Sequence, residues 1–145
     1  MVENLVVGID GSEDGQRALS WAVDEARRRG AALDVIYAWE LSGSDMLSGN
    51  PEGRARSVLA RSLAEVDTEG VAVRPRLVEG RPTPNLIRAA EDADMLVVGS
   101  RGRSGVAAVI LGSVSTACVH YASCPVVVVP PARRRTSVAP RNGRP

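Results

Sequence analysis

The chain has 145 residues, 44% of them hydrophobic and 24% charged, with 18 basic and 17 acidic side chains for a net charge of +1. That size and balance suit one soluble globular domain with a real core, and no apolar run reaches the roughly 20 residues of a membrane-spanning helix. All 18 basic residues are arginine, which excludes Schiff-base chemistry and the phosphate lysine of a Walker P-loop.

Residues 5–9, LVVGI, are predicted to form a buried strand that ends at Asp10-Gly11-Ser12. A helix follows, with Ala18, Leu19, Ala22, Val23 and Ala26 on one face. Gly30 stops it after Arg27, Arg28 and Arg29, whose charges suit the negative end of a helix. Residues 33–39 read as the second strand, and 40–50, rich in Ser and Gly, as a loop. The second helix carries Ala55, Val58, Leu59, Ser62, Leu63 and Val66 at helical spacing and is expected to stop at Gly70. Strand three, over 71–78, contains Pro75, which cannot donate to a ladder and argues for a sheet edge. A short helix over 84–91 is expected to start at Pro84. Residues 95–98 make strand four, 113–122 a fourth helix and 126–129 strand five.

The remaining segment, 131–145, holds five arginines and no acid, and leaves the other residues with 13 arginines against 17 acids, a net of −4. Without an apolar period it is expected to be disordered, a solvated tail rather than a polyanion-binding one. The acidic start Met1-Val2-Glu3-Asn4 is unlike a secretory signal. Cys118 and Cys124, the two cysteines, read as small core residues rather than as a disulfide framework.

Strands alternating with helices imply right-handed βαβ units and a parallel sheet covered on both faces. In the doubly wound order 3-2-1-4-5, ligands bind beyond the carboxyl ends of strands one and four, where the order reverses. Asp10 ends strand one and Gly99 ends strand four. Between strand four and the fourth helix stand Gly99, Gly102, Gly105 and Gly112. Glycines let backbone N–H groups approach an anion, and the first turn of a helix, here Ser113, Val114 and Ser115, favours negative charge. Arg101 and Arg103 supply positive charge, and the two serines add hydroxyls. A plain turn followed by a helix cap accounts for the same residues without a ligand.

The motif Gly99-x2-Gly102-x9-Gly112-Ser113 resembles the ATP-binding signature of the universal stress proteins. The "VVGIDGS" opening, the "VVGSRGRSG" loop, the "LGSVS" helix start and the closing "CPVVVVP" extend the likeness over residues 3–130. The resemblance implies a Rossmann-like three-layer α/β sandwich over 1–130, cytoplasmic, homodimeric and tied to stress survival. It implies ATP, with or without magnesium, held by no protein metal ligand. By likeness Gly8, Ile9, Asp10 and the backbone of Ala38 would hold the adenosine. Val98, Gly99, Gly102, Arg103, Gly112, Ser113, Val114 and Ser115 would complete the site around ribose and phosphates, with Arg103 where other members carry lysine.

The edge strand Val126–Val129, four valines without a charge, is expected to pair with a second copy of the chain, the alternative being that the proline-rich tail folds back and covers it. The segment 40–50 is expected to lie as a flap over the adenosine side. Trp39 is a candidate to stack on adenine or a plain anchor. His120, with no nucleophile partner in sight, reads as a helix-surface or core-edge residue. No catalytic set is apparent, so the expected function is a nucleotide-dependent regulator rather than an enzyme, with a slow ATPase and a nucleotide-free interaction module as alternatives. The sequence points to no membrane and disfavours nucleic acid, and it leaves the downstream protein partner unidentified.

Overall fold

The computed structural model describes residues 2–44, 47, 49–101 and 111–132. Among the described residues five strands, β1 (Asn4–Ile9), β2 (Ala32–Trp39), β3 (Ala72–Glu79), β4 (Met95–Gly99) and β5 (Val126–Val129), alternate with four helices. The helices are α1 (Glu13–Arg29), α2 (Pro51–Ala64), α3 (Pro82–Ala90) and α4 (Ser113–Tyr121). All strand pairs are parallel, in the order β3-β2-β1-β4-β5. This is the Rossmann-like three-layer sandwich.

The pleat assigns the layers. Leu5, Val7 and Ile9 of β1 point to the face covered by α1 and α2, where they meet Leu19, Val23 and Leu59. Val6, Ile36, Leu96 and Val98 point to the opposite face and meet Leu86 of α3 and Cys118 of α4. Strands buried on both sides need apolar residues at every position, which explains the unbroken runs in β1 and β4. β3 lies at one edge, its Pro75 opposite Val35, as the missing N–H requires. β5 forms the other edge, with Val129 opposite Gly99.

Two helix boundaries differ from expectation. α3 begins at Pro82, not Pro84, with Arg81 as the preceding residue. Either proline fits a first helical turn, whose N–H groups lack helical acceptors in any case. α2 begins at Pro51 behind the cap Asn50 and ends at Ala64, well before Gly70. Gly70 instead takes a positive φ of 79° in the turn that leads into β3. Residues 133–145 of the expected tail lie outside the described residues.

Candidate functional site

The carboxyl ends of β1 and β4, with that of β2, open into a cavity of about 240 Å³. Its apolar wall is Ile36, Pro82, Leu86 and Val98, and its polar wall includes Asp10, Arg101, Ser113 and Ser115. The cavity thus lies on the α3/α4 side, at the point where the strand order reverses.

Two helix starts border it. At α1, Ser12 accepts the Gly15 N–H at 3.1 Å. Asp10 Oδ1 in turn accepts the Ser12 N–H at 2.9 Å and the Ser12 hydroxyl. At α4, Gly112 precedes the helix and no side chain caps it. The first helical bond runs from Thr116 N–H to Gly112 O at 2.9 Å. The N–H groups of Ser113, Val114 and Ser115 therefore have no helical acceptor, and these three residues line the cavity.

Gly99 makes a close approach possible. A Cβ there would stand 2.9 Å from the Asp14 carbonyl oxygen, so β4 and the first turn of α1 touch backbone to backbone. Gly112, at φ −66° and ψ 169°, needs no left-handed backbone.

The loop after β4 is tied on both sides. Gly112 N–H donates to Ser100 O at 2.7 Å, and Ser115 Oγ reaches Ser100 O at 3.1 Å and Gly112 O at 3.0 Å. Arg101 Nε donates to Asp14 Oδ2 at 3.1 Å. One turn further along α4 the chemistry ends. Burial, with Cys124 nearby, pushes the Cys118 thiol up to about 11, and burial also raises that of Cys124. Such thiols are poor nucleophiles near neutral pH.

The model of the Universal stress protein family matches residues 1–130. The chain belongs to this family. It is 39% identical to the universal stress protein Rv2005c of Mycobacterium tuberculosis over 132 residues, 86% of this chain and 44% of that one. It therefore spans less than half the length of that relative. Among solved structures it resembles the universal stress protein UspA of Lactobacillus plantarum, with a TM-score of 0.75 and 23% identity over 88% of this chain and 97% of the other. It also resembles a universal stress protein solved in complex with cAMP, with a TM-score of 0.70 and 26% identity over 88% and 96% of the two chains.

Of the site residues expected from the family likeness, Gly8, Ile9, Asp10, Ala38, Val98, Gly99, Gly112, Ser113, Val114 and Ser115 line this one cavity. Gly102 and Arg103 lie outside the described residues. Arg101, expected as a source of positive charge, lines the cavity too, and Gly15, Ile36, Pro82 and Leu86, for which the expectation has no place, complete the lining. The parity of Ile36, which puts it on the α3/α4 face of the sheet, and the helical spacing from Pro82 to Leu86 are the signals available for three of them.

Three expectations shift. The Ser115 hydroxyl is turned to two backbone carbonyls, so this residue offers its N–H rather than its side chain. Trp39 is an anchor: it sits one pleat position past Ala38 and packs with the α1/α2 layer. Glu40, Ser42 and Asn50 of the expected flap line a neighbouring groove with Trp39 and Arg54, which meets the cavity at Ala38; residues 45, 46 and 48 of that segment lie outside the described residues. His120 is exposed on α4, its ring 6.1 Å from that of Tyr121. No group of three potential metal ligands occurs among the described residues, and none of the described helices is long and apolar enough to cross a membrane.

Proposed function

We propose that this member of the universal stress protein family is a regulator that binds an adenine nucleotide, ATP in the first instance, in the cavity at the β1/β4 switch point. One observation carries the reading: the uncapped start of α4 presents the Ser113, Val114 and Ser115 N–H groups to a cavity whose other wall is apolar. An apolar slot for a base beside a seat for an anion matches the two ends of a nucleotide. The solved relative in complex with cAMP supports adenine as the base.

In this reading Ile36, Leu86, Pro82 and Val98 enclose the base, and Gly8, Ile9, Asp10 and Ala38 contact the adenosine. Gly99, Gly102, Arg103, Gly112, Ser113, Val114 and Ser115 surround ribose and phosphates, and magnesium, where present, is held by the phosphates. The reading includes a cytoplasmic homodimer. β5 pairs only with β4 among the described strands, and its outer edge suits a second copy. Sedimentation at twice the 15.3 kDa chain mass is the expected result, and a monomer at micromolar concentration opposes it.

Acid extraction of the purified protein followed by anion-exchange chromatography tests the ligand. ATP in the supernatant, or ATP uptake by the stripped protein in calorimetry, supports the proposal. Protein that is empty and takes up no ATP overturns it, and ADP accumulating over many turnovers moves the reading to an ATPase.

A further inference from the structure

We infer that a trough along α2 is a docking surface for an extended segment of a partner protein, one that carries two acidic side chains three residues apart. The inference goes beyond the nucleotide reading and does not depend on it. The groove at the end of β2, about 940 Å³, and a second of about 310 Å³ beside the start of α1 share Val58 and Arg61. They form one trough along α2, whose 14 residues span about 21 Å, the length of roughly six extended residues. Trp39 and Val58 supply apolar surface and belong to the α1/α2 layer. Leu41, between the lining residues Glu40 and Ser42, is 60% exposed, so a partner's apolar side chain gains by covering it.

The charges give the trough a direction. Arg54, Val58, Arg61 and Glu65 follow one another at helical spacing, and Glu13 of α1 lines the far end. Two arginines thus outweigh Glu40 at the β2 end, and two glutamates stand at the α1 end. Among the described residues Arg61, Glu13 and Glu65 form no side-chain hydrogen bond or ion pair, although Arg61 and Glu65 are one turn apart. Arg54 is engaged within the chain, and its five N–H donors can serve a second acceptor. Arg54 and Arg61 are about two turns apart, ~10 Å along the axis, the rise of three extended residues. Carboxylates at positions i and i+3 of an extended segment therefore reach both, and a cation two residues later meets Glu65 and Glu13. Nucleic acid fits worse: Glu40, Glu13 and Glu65 interrupt the track, and residues 1–130 carry 13 arginines against 17 acids.

Fluorescence anisotropy of the full chain with the labelled peptide Glu-Leu-Ser-Glu-Ser-Lys and its charge-reversed form Lys-Leu-Ser-Lys-Ser-Glu tests this. The wild type is expected to bind the first at least about tenfold more tightly. Arg61→Glu should abolish that preference, and Arg61→Gln should weaken it about threefold. Thermal melts show whether Arg61→Glu folds; if it does not, Arg61→Gln carries the test. Equal affinity for the two peptides, no binding of the first by the wild type at millimolar concentration, or an affinity that Arg61→Glu leaves unchanged overturns the inference. So does tighter binding of a single-stranded oligonucleotide, or of a peptide of residues 133–145, which would make the chain's own tail the occupant. A sedimentation coefficient that changes with Arg61→Glu in a folded protein assigns the trough to a second copy and overturns it as well.

Discussion

The starts of α1 and α4 border the same cavity and are built in opposite ways. α1 is self-sufficient: Ser12 caps it, Asp10 holds Ser12, and Glu13 and Asp14 sit on its positive end. α4 has a glycine where a cap would stand and no acid in its first turn. A helix start left without internal partners must find them in water or in a ligand. The difference teaches where an anion belongs. Both helices have the same backbone dipole, yet only one has been left uncompensated on the side facing the cavity.

The comparison is most severely broken at the seam that brings the two starts together. Gly99→Val would push a branched side chain against the Asp14 carbonyl, 2.9 Å from where its Cβ must go. A loss of about 3 kcal/mol in stability is expected, read as a lowered urea midpoint at constant slope. A midpoint within error of wild type would show that β4 and α1 are not tightly apposed.

Removing the cap of α1 is a smaller and more selective test. Ser12→Ala should cost about 1 kcal/mol of stability and leave ATP affinity within twofold. A large loss of affinity with little loss of stability would mean that the α1 start, not the α4 start, receives the anion.

The smallest effect concerns the far end of α4. Cys118 is buried and its thiol is raised to about 11 from an ordinary 9. The folded state therefore keeps a proton that the unfolded chain gives up between those values. The contribution of the neutral thiol to stability is complete below about pH 9 and is lost as pH climbs towards 11. Alkylation of the native protein at pH 8 should be slow compared with the denatured protein. Rapid modification of Cys118 at pH 8 in the folded state would contradict its burial.

Much of this architecture is legible in the sequence, and the exceptions share a cause. Unbroken apolar runs at 5–9 and 95–98 require strands covered on both faces, and Pro75 confines β3 to an edge. Gly112 followed by Ser113 marks the open helix start. Trp39 was ambiguous because facing depends on a one-residue parity, and only the register with β3 fixes it. Pro82 and Pro84 are equally good first-turn residues, so local signals could not choose between them. The hydrogen bond between Arg101 and Asp14 spans 87 positions, and no local pattern announces it. Gly99 looked like a phosphate glycine, but its tightest requirement is packing against Asp14.

The central claim, that the α4 start is the anion seat, is tested most directly by calorimetry of ATP with Gly112→Asp. At φ −66° the position accepts a side chain without backbone strain. An aspartate there would supply from within the chain the cap that α1 already has, at a gain of only a few tenths of a kcal/mol over glycine. It would also set a carboxylate where the phosphates should lie. The account predicts a melting temperature equal to or slightly above wild type and an ATP affinity lower by at least about a hundredfold, or roughly 2.7 kcal/mol. An affinity within twofold of wild type in a folded Gly112→Asp protein would contradict it.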